Sequence, residues 1–435
     1  MRNRLEIKVW KAQELPSNWF RRKANDEKDS VAVESSVKEI IGAVRKRGNA
    51  ALIEFTEKFD KAKLNARDLR VTSAEIKTAY KGVSQPQVNA LKLMREKLFS
   101  NEKLALQQIG YKTLREGITL QTVMRPIESV GCYVPAGQAV YPSTLIMTAT
   151  PAKVAGVPRV VVCSPPTSRG NVNPLILVAA DICEVNEVYK VGGVQAIAAM
   201  AYGTESIRPV KKIVGPGSKY VTAAKVQVSQ NVAIDMPAGP SEILVLADET
   251  ANPKLVAADM ISQAEHGEDS VAGLITPSKK FAEEVLQSLD EQTVLAERKE
   301  IVEKALSTHG FIITCKDDPE AMAALANAFA PEHLEIMTNA SKEIADKITS
   351  AGLILMGPYS PVALSDYGSG TNHVLPTGGF GSAFSGLSAL DFMKRISIVE
   401  SSKDGLDKLR NHVKVLTEAE NLPNHYKAVE ARFEE

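Results

Sequence analysis

Four of the six histidines in this 435-residue chain lie beside carboxylate or amide side chains in its second half. They are His266, His333, His373 and His425. Imidazoles, carboxylates and amides can bind metal ions, and an imidazole beside a carboxylate can also transfer protons near neutral pH. This grouping favours a metalloenzyme with an adjacent acid–base pair.

The first candidate metal ligands lie on a predicted helix that begins at Asn252-Pro253, an N-cap followed by proline, and runs to Gly267. At about 100° per residue, Asp259, Gln263 and His266 fall within roughly 60° of one another. Gln263 and His266 are one turn apart, so both side chains can reach one ion. Glutamine is an uncommon ligand, because zinc prefers nitrogen and sulfur with some carboxylate.

Further candidate ligands follow in a predicted loop and near the C-terminus. Asp366 and His373 flank Gly368 and Gly370, and glycine allows a loop to turn its side chains inward on a site. His425 lies ten residues from the end of the chain. For each histidine taken singly, an ordinary hydrogen bond at a surface or domain edge remains the alternative.

Glu332 and His333 are the candidate acid–base pair. They follow a predicted helix and open a predicted strand. The imidazole suits a general base, and the neighbouring carboxylate can activate water. The alternative is a solvated Glu-His pair in a loop. We interpret His309 as the end of a helix beside Gly310, and His412 as a surface residue.

Composition excludes several other classes of function. The 52 Lys and Arg residues balance 52 Asp and Glu residues, so no net field recruits nucleic acid or an anionic membrane. No apolar run approaches the roughly 20 residues of a membrane span, and the N-terminus lacks the apolar stretch of a signal peptide. The four cysteines have no zinc or redox spacing, which predicts reduced thiols in a cytoplasmic protein.

The pattern of apolar residues predicts which elements position these groups. Residues 27–107 are predicted to be mostly helical, with a break near Gly48. From about residue 118, strands alternate with helices, which predicts an α/β fold with a mostly parallel sheet. Residues 389–435 are predicted to be helical and charged. The predicted strands are 129–134, 159–164, 187–191, 212–214, 243–247, 272–276, 311–314, 334–338 and 353–356.

Three turns could bind a nucleotide, although the chain has neither a Walker A sequence nor G-x-G-x-x-G after a strand. The turns at 133–137 and 215–218 follow predicted strands, and the turn at 192–195 opens a helix. In open α/β sheets, ligands lie at the carboxyl ends of strands, where helix N-termini favour phosphate. The alternative is that all three are plain tight turns.

Several stretches, in this order, resemble those of the histidinol dehydrogenase family, whose members catalyse the last two oxidations of histidine biosynthesis. The resemblance extends from about residue 30 to the C-terminus. Its most specific stretches are 151–157, 192–198, 238–242, 262–267, 331–335 and 368–377. It implies oxidation of L-histidinol through L-histidinal to L-histidine, with zinc and two molecules of NAD as cofactors.

The resemblance also implies roles for individual residues. Glu332 would be the water activator and His333 the general base. The zinc ligands, which also contact substrate, would be Gln263, His266, Asp366 and His425. The other substrate contacts would be His333, Ser241, His373 and Glu420. Tyr133, Gln195 and Ser218 mark the expected dinucleotide site.

The implied fold is α/β, with two incomplete Rossmann-like three-layer domains, a small N-terminal arm and a helical C-terminal tail. We expect the arm at 1–26, a larger catalytic domain at 27–130 and 240–384, the dinucleotide domain at 131–239, and the tail at 385–435. The resemblance implies an intertwined homodimer in which the tail brings Glu420 and His425 to the partner's site. Neither nucleic acid nor membrane is expected as a partner.

Two positions depart from the family pattern. The family usually has Asn at the position of Ser218, and a shorter hydroxyl there puts cofactor affinity in question. Ala136 stands where a second glycine is common.

Three other functions fit parts of the pattern. A dehydrogenase of the same fold could oxidise another small polar alcohol, such as a sulfonated diol. A zinc hydrolase would use Gln263, His266 and Glu332 to activate water without a dinucleotide. A binding or scaffold protein would keep a vestigial site, but the intact ligand set and Glu-His pair count against it.

Overall fold

The computed structural model describes residues 5–16, 19, 27–107, 109, 111–136, 140–236 and 239–434, with the backbone alone at 27–30. The expected N-terminal arm is thus described only at 5–16 and 19, and Gly137 and Ala238 of two quoted stretches lie outside the described residues. Over the described ranges, no helix has both the length and the apolar character needed to cross a membrane.

The first part of the chain contains one short strand and then four helices. The helices carry a buried apolar stripe, as their spacing predicts, and Gly48 separates the first two with a positive φ of 52°. The elements are β1 (Lys8–Lys11), α1 (Glu27–Arg47), α2 (Asn49–Asp60), α3 (Ser73–Ala79) and α4 (Gln85–Gln107).

A hairpin and a five-stranded parallel sheet follow. The hairpin strands are β2 (Lys112–Arg115) and β3 (Ile118–Pro126). The sheet has the order β6-β5-β4-β7-β8. Its elements are β4 (Ser129–Tyr133), α5 (Pro142–Val154), β5 (Arg159–Ser164), α6 (Pro174–Ile182), β6 (Glu187–Lys190), α7 (Gly193–Tyr202), β7 (Lys212–Val214), α8 (Lys219–Val228) and β8 (Ala233–Ile234).

A six-stranded parallel sheet forms the second body, with the order β1-β11-β10-β9-β12-β13. Its central strand β9 is buried along its whole length, as strands covered by helices on both faces must be. Its elements are β9 (Glu242–Ala247), α9 (Pro253–Ala264), β10 (Val271–Thr276), α10 (Lys279–Thr293), α11 (Lys299–His309), β11 (Phe311–Thr314), α12 (Pro319–Phe329), β12 (His333–Met337), α13 (Ser341–Ala345), β13 (Leu353–Met356) and α14 (Val362–Tyr367).

Each sheet has an apolar core on both faces, which confirms the predicted α/β class with helices on either side. Successive residues of a strand point to opposite faces. Thus Ile243 and Val245 of β9 belong to one core, and Leu244 and Leu246 belong to the other. The predicted alternation of strands with helices is confirmed in both bodies.

The packing of the first helices differs from the expected grouping of residues 27–130 with 240–384. Helices α1 and α2 pack on α7 and α8, while α3 and α4 pack on α5 and α6, so all four cover the five-stranded sheet. The apolar stripes predict that these helices are buried, but they do not specify which sheet buries them.

The two ends of the chain also differ from expectation. Lys8–Lys11, expected in an arm outside the core, forms the edge strand β1 beside β11. Met393–Ser401 was predicted to be helical and instead forms β14, which pairs antiparallel with β3. The partner strand lies more than 250 residues away in sequence, so local propensity could not reveal the pairing. Beyond it come α15 (Lys403–Ala419) and α16 (Pro423–Glu430).

Candidate active site

The predicted acid–base pair lies at the amino ends of the central strands of the six-stranded sheet. His333 is the first residue of β12, in register with Ile243 of β9 and Leu353 of β13. Glu242, the first residue of β9, therefore lies beside the pair. Both carboxylate-bearing residues and the imidazole are buried: Glu242 is 3%, Glu332 7% and His333 4% exposed.

Glu242 holds both members of the pair through its own backbone. Its N–H donates to Oε2 of Glu332 at 2.8 Å, and its carbonyl oxygen lies 3.1 Å from Nδ1 of His333. The Glu242 side chain is anchored in turn, because its Oε1 accepts a hydrogen bond from the Gly378 N–H at 2.9 Å. One residue of the neighbouring strand thus orients the two side chains.

This contact determines the tautomer of His333. A carbonyl oxygen can only accept, so Nδ1 must carry the proton and donate it to Glu242. In the neutral ring Nε2 is then the acceptor. Nε2 is buried and has no hydrogen-bond partner among the described residues. The ring therefore presents an unprotonated nitrogen that is free to take a proton from a bound molecule.

Burial shifts both groups toward their neutral forms. Burial, together with a smaller effect of nearby His266, lowers the pKa of His333 to about 4, whereas the Glu242 carbonyl opposes the shift. Burial also raises the pKa of Glu332 well above its ordinary value; the Glu242 N–H opposes this rise, and the charges of Glu242 and Asp366 add to it. Near neutral pH, His333 is a neutral base.

Two of the predicted metal ligands, His266 and Asp366, act on the charges of this pair, and both lie in elements that differ from expectation. Helix α9 starts at Asn252 as predicted but ends at Ala264, so His266 follows it in a tight turn. Asp366 lies in the last turn of α14, not in a loop. Gln263, in the last turn of α9, is only 2% exposed.

Electrostatic coupling places the histidines and carboxylates in one cluster. His333 and His266 both lower the pKa of His373, which burial brings to about 4. Oδ1 of Asp366 lies 3.6 Å from Nδ1 of His373, and burial raises the pKa of Asp366 to about 7. These mutual effects indicate that His266, His333 and His373 lie near one another, with Asp366 beside His373.

A cavity of about 400 Å³ opens beside His266. Its lining joins both bodies of the chain, since Met94 and Leu91 come from α4 and Tyr367 from the end of α14. His266 lines this cavity, and desolvation by the surrounding atoms lowers its pKa. A small polar molecule would therefore have access to the cluster.

The remaining predicted ligand and one substrate contact are not brought to this cluster within a single chain. Glu420 and His425 are exposed at the end of α15 and the start of α16, two helices that pack on each other. In the described part of the chain, no three His, Cys, Asp or Glu side chains converge as a metal-binding group.

The expected dinucleotide residues lie at the carboxyl ends of the five-stranded sheet. The Tyr133 hydroxyl accepts a hydrogen bond from the Gly193 N–H at 3.1 Å, which ties β4 to the start of α7. Gln195 is 1% exposed, and its amide oxygen and nitrogen both lack partners among the described residues. Ser218 caps α8 without a side-chain hydrogen bond to the helix.

Two groups of residues were missed at the sequence level. Glu242 appeared only within a quoted stretch, because nothing in its spacing indicates a contact with residues 90 positions away. Glu335 is 0% exposed on β12, and its carboxyl bonds to that of Asp259 on α9. A glutamate at a buried strand position is the signal that could have revealed this second pair.

Fold and site together define an α/β enzyme with a buried carboxylic acid–imidazole pair. A family model described as histidinol dehydrogenase matches residues 22–433. The chain is 46% identical over 414 residues to the histidinol dehydrogenase of Methanocaldococcus jannaschii, covering 95% of this chain and 94% of that protein. It is 45% identical to the enzyme of Bacteroides fragilis, covering 92% and 93% of the two chains.

A solved structure agrees with these sequence comparisons. The crystal structure of histidinol dehydrogenase from Elizabethkingia anophelis matches with a TM-score of 0.92 and 37% identity, over 99% of both chains. The chain belongs to the histidinol dehydrogenase family, whose members are oxidoreductases of histidine biosynthesis. The resemblance inferred from the motifs is confirmed.

Proposed function

We propose that this protein oxidises L-histidinol through L-histidinal to L-histidine, reducing two molecules of NAD. The observation that carries the proposal is the buried His333, with Nδ1 held by the Glu242 carbonyl and Nε2 without a partner among the described residues. Such a ring can take the hydroxyl proton of an alcohol as hydride leaves the carbon that bears this hydroxyl. We also propose that the protein acts in the cytoplasm.

The first oxidation removes one hydride and one proton from the alcohol. His333 Nε2 takes the proton, and the ring stays oriented because Nδ1 keeps its bond to Glu242. Its pKa of about 4 ensures that the nitrogen is unprotonated near neutral pH, before the reaction begins. NAD, when bound, accepts the hydride in this step and in the second.

The second oxidation requires water, because the aldehyde must become a hydrate before another hydride can leave. Glu332 is the proposed water activator: its Oε2 is fixed by the Glu242 N–H at 2.8 Å and lies 3.6 Å from the His333 ring. The ionised carboxylate removes a proton from water as the oxygen adds to the aldehyde carbon, and His333, protonated in the first oxidation, returns its proton to the former carbonyl oxygen. His333 then takes the hydrate proton as the second hydride leaves.

The proposed zinc ligands suit the metal by their chemistry. Gln263, His266 and Asp366 would offer an amide oxygen, an imidazole and a carboxylate, and His425 of a second subunit would supply another imidazole. A metal held there would bind the nitrogen-rich substrate and fix its orientation. Orientation of this kind contributes several kcal/mol, about 7–11 in favourable cases.

Residues of the five-stranded sheet suit a dinucleotide. The two unpartnered, buried polar atoms of Gln195 provide a donor and an acceptor at the start of α7. Tyr133 adds an aromatic ring at the end of β4, and Ser218 adds an exposed hydroxyl at the start of α8. Ser241, His373 and Glu420 remain the proposed substrate contacts, with Glu420 again from a second subunit.

The direct test is NAD reduction with L-histidinol, with and without a chelator and then with zinc added back. We expect about two NADH per histidine formed, loss of turnover with chelator and recovery with zinc. A sulfonated diol in place of histidinol tests the rival dehydrogenase, and product formation without NAD would indicate a hydrolase. His266→Ala should lose bound metal and nearly all turnover. Absence of NADH formation in the metal-loaded protein would contradict the proposal.

A further inference from the structure

A buried ion pair lies at the end of the five-stranded sheet, away from the acid–base pair. It joins Lys225 in the middle of α8 to Asp235, which directly follows β8. Their side chains are only 4% and 1% exposed. Removing two charges from water is costly, and apolar residues of similar volume often serve the fold as well. Stability of the fold alone therefore does not explain why a charged pair is buried here.

The pair binds both backbone polar groups of one residue, Gly215. Oδ2 of Asp235 accepts a hydrogen bond from the Gly215 N–H at 2.7 Å, and Nζ of Lys225 donates to the Gly215 carbonyl oxygen at 2.9 Å. Gly215 is the first residue after β7 and opens the turn 215–218. Charge-assisted bonds of this kind are stronger than neutral ones, so the turn has little freedom to rotate.

Gly215 also lies against the neighbouring strand. Its φ is +115°, and a Cβ placed on it would come within 2.2 Å of the Tyr133 carbonyl oxygen. Tyr133 in turn bonds to the Gly193 N–H through its hydroxyl. The ion pair thus fixes the turn 215–218 against the turn that begins at Tyr133, and the Tyr133 hydroxyl links that turn to the one that begins at Gly192.

We propose that Lys225 and Asp235 are positioning residues for the dinucleotide: they hold the turn 215–218 so that Ser218 and the start of α8 face the cofactor beside Tyr133 and Gln195. The inference rests on the proposed use of NAD. The two residues contact the turn and not the cofactor, so their loss should weaken cofactor binding while leaving the histidinol site intact.

The experiment compares two double variants with the wild-type enzyme. Lys225→Met/Asp235→Leu removes both charges and the side-chain partners of both the N–H and the carbonyl oxygen of Gly215. Lys225→Met/Asp235→Asn removes both charges but keeps an acceptor for the Gly215 N–H. We measure NAD binding by isothermal titration calorimetry, thermal unfolding, and the KM values for NAD and L-histidinol.

We expect both double variants to fold, because removing both charges together leaves no unpaired buried ion. In the Leu variant the Kd for NAD should rise about tenfold or more, and the KM for L-histidinol should stay within about twofold. The Asn variant should show a smaller rise in the Kd for NAD, since its amide oxygen can still accept a hydrogen bond from the Gly215 N–H. Single Lys225→Met should unfold at a lower temperature than either double variant.

The matched control is Arg159→Met/Glu187→Gln. This pair joins the first residues of β5 and β6 by a 2.9 Å contact, at the amino ends of the same sheet. It should lower the unfolding temperature without changing the Kd for NAD. Wild-type affinity in both double variants, or an equal loss in the control, would overturn the proposal. If wild-type enzyme itself bound no NAD, the proposed cofactor would be wrong, and this inference with it.

Discussion

Glu332 and His333 are adjacent in sequence yet have different hydrogen-bonding partners, and the difference determines what each can do. The carboxylate of Glu332 meets the N–H of Glu242, whereas the ring of His333 meets the carbonyl of the same residue. The Glu242 N–H stabilises the negative charge of the Glu332 carboxylate. The Glu242 carbonyl fixes the neutral His333 ring with Nδ1 protonated and Nε2 as the acceptor. The backbone of Glu242 thus favours water activation by Glu332 and proton acceptance by His333.

Replacement of Glu332 should separate the two oxidations. Glu332→Gln keeps an oxygen for the Glu242 N–H but cannot take a proton from water. We expect aldehyde oxidation to fall by about 100-fold or more, the usual range for a lost acid–base group, and alcohol oxidation to fall much less. Single-turnover rates with L-histidinol and L-histidinal measure the two steps. An unchanged aldehyde rate would show that another group activates the water.

The pH dependence of the two steps should also differ. His333, with its pKa near 4, is already neutral above about pH 6, so it adds no rise to alcohol oxidation there. Glu332 must lose a proton to act as a base, and its raised pKa moves that requirement to higher pH. Aldehyde oxidation should therefore increase with pH in the wild type, and this increase should disappear in Glu332→Gln. Parallel pH profiles for both steps would count against the assignment.

At the scale of elements, a second buried pair joins α9 to β12. The carboxyl groups of Asp259 and Glu335 bond to each other, and within the described residues no N–H or hydroxyl donor reaches either oxygen of Glu335. Two carboxyl groups in contact need a proton between them. Burial, followed by the charge of Asp259, raises the pKa of Glu335 to about 9. The helix that carries Gln263 is thereby tied to the strand that carries His333.

This shared proton predicts how stability changes with pH. Between the unfolded pKa near 4.5 and the folded pKa of about 9, the unfolded chain binds fewer protons at Glu335 than the folded chain. The free energy of unfolding should then fall as pH rises, by up to about 1.4 kcal/mol per pH unit from this group. Glu335→Gln, which needs no proton to donate to Asp259, should flatten that decline.

The measurement is denaturant unfolding of both proteins at several pH values across this window. Glu343→Gln, at an exposed position of α13, serves as the control and should leave the wild-type slope unchanged. If wild type and Glu335→Gln lost stability equally with rising pH, the two carboxyl groups would not share a proton.

At the scale of the whole molecule, the C-terminal region offers apolar surface and candidate ligands at the same time. Strand β14 and helix α15 expose several large apolar side chains, among them Ile398, Val399 and Val415. Exposed apolar patches often mark interaction surfaces. These positions, with Glu420 and His425 exposed on the same region, support the proposed homodimer in which each tail completes the partner's site.

Complementation between two inactive variants tests this arrangement. His333→Ala should abolish the base, and His425→Ala should weaken the metal site of the partner. In a mixed dimer, one of the two sites would combine an intact His333 with an intact His425, so activity should return to about half of the wild-type value per mixed dimer. Co-purification with two different affinity tags isolates the mixed species. If the mixed dimer stayed inactive, His425 would act within its own chain.

The sequence by itself determined much of this protein. Short continuous apolar runs indicated most strands of both bodies, and apolar residues with period 3.6 indicated most helices, because such patterns show which residues are buried. The types and neighbours of Gln263, His266, Glu332, His333 and Asp366 indicated the chemistry, and the motifs indicated the family. These properties are local, so they can be read without knowing which segments meet.

Only the tertiary structure decided which groups touch. It paired β14 with β3, placed α1 to α4 on the five-stranded sheet, and set Glu242 against both Glu332 and His333. It also set Asp259 against Glu335, and Lys225 and Asp235 around Gly215. Each of these contacts, apart from Lys225 with Gly215, joins residues about 20 or more positions apart. Their formation depends on how whole elements pack, and local propensity and spacing carry no information about that.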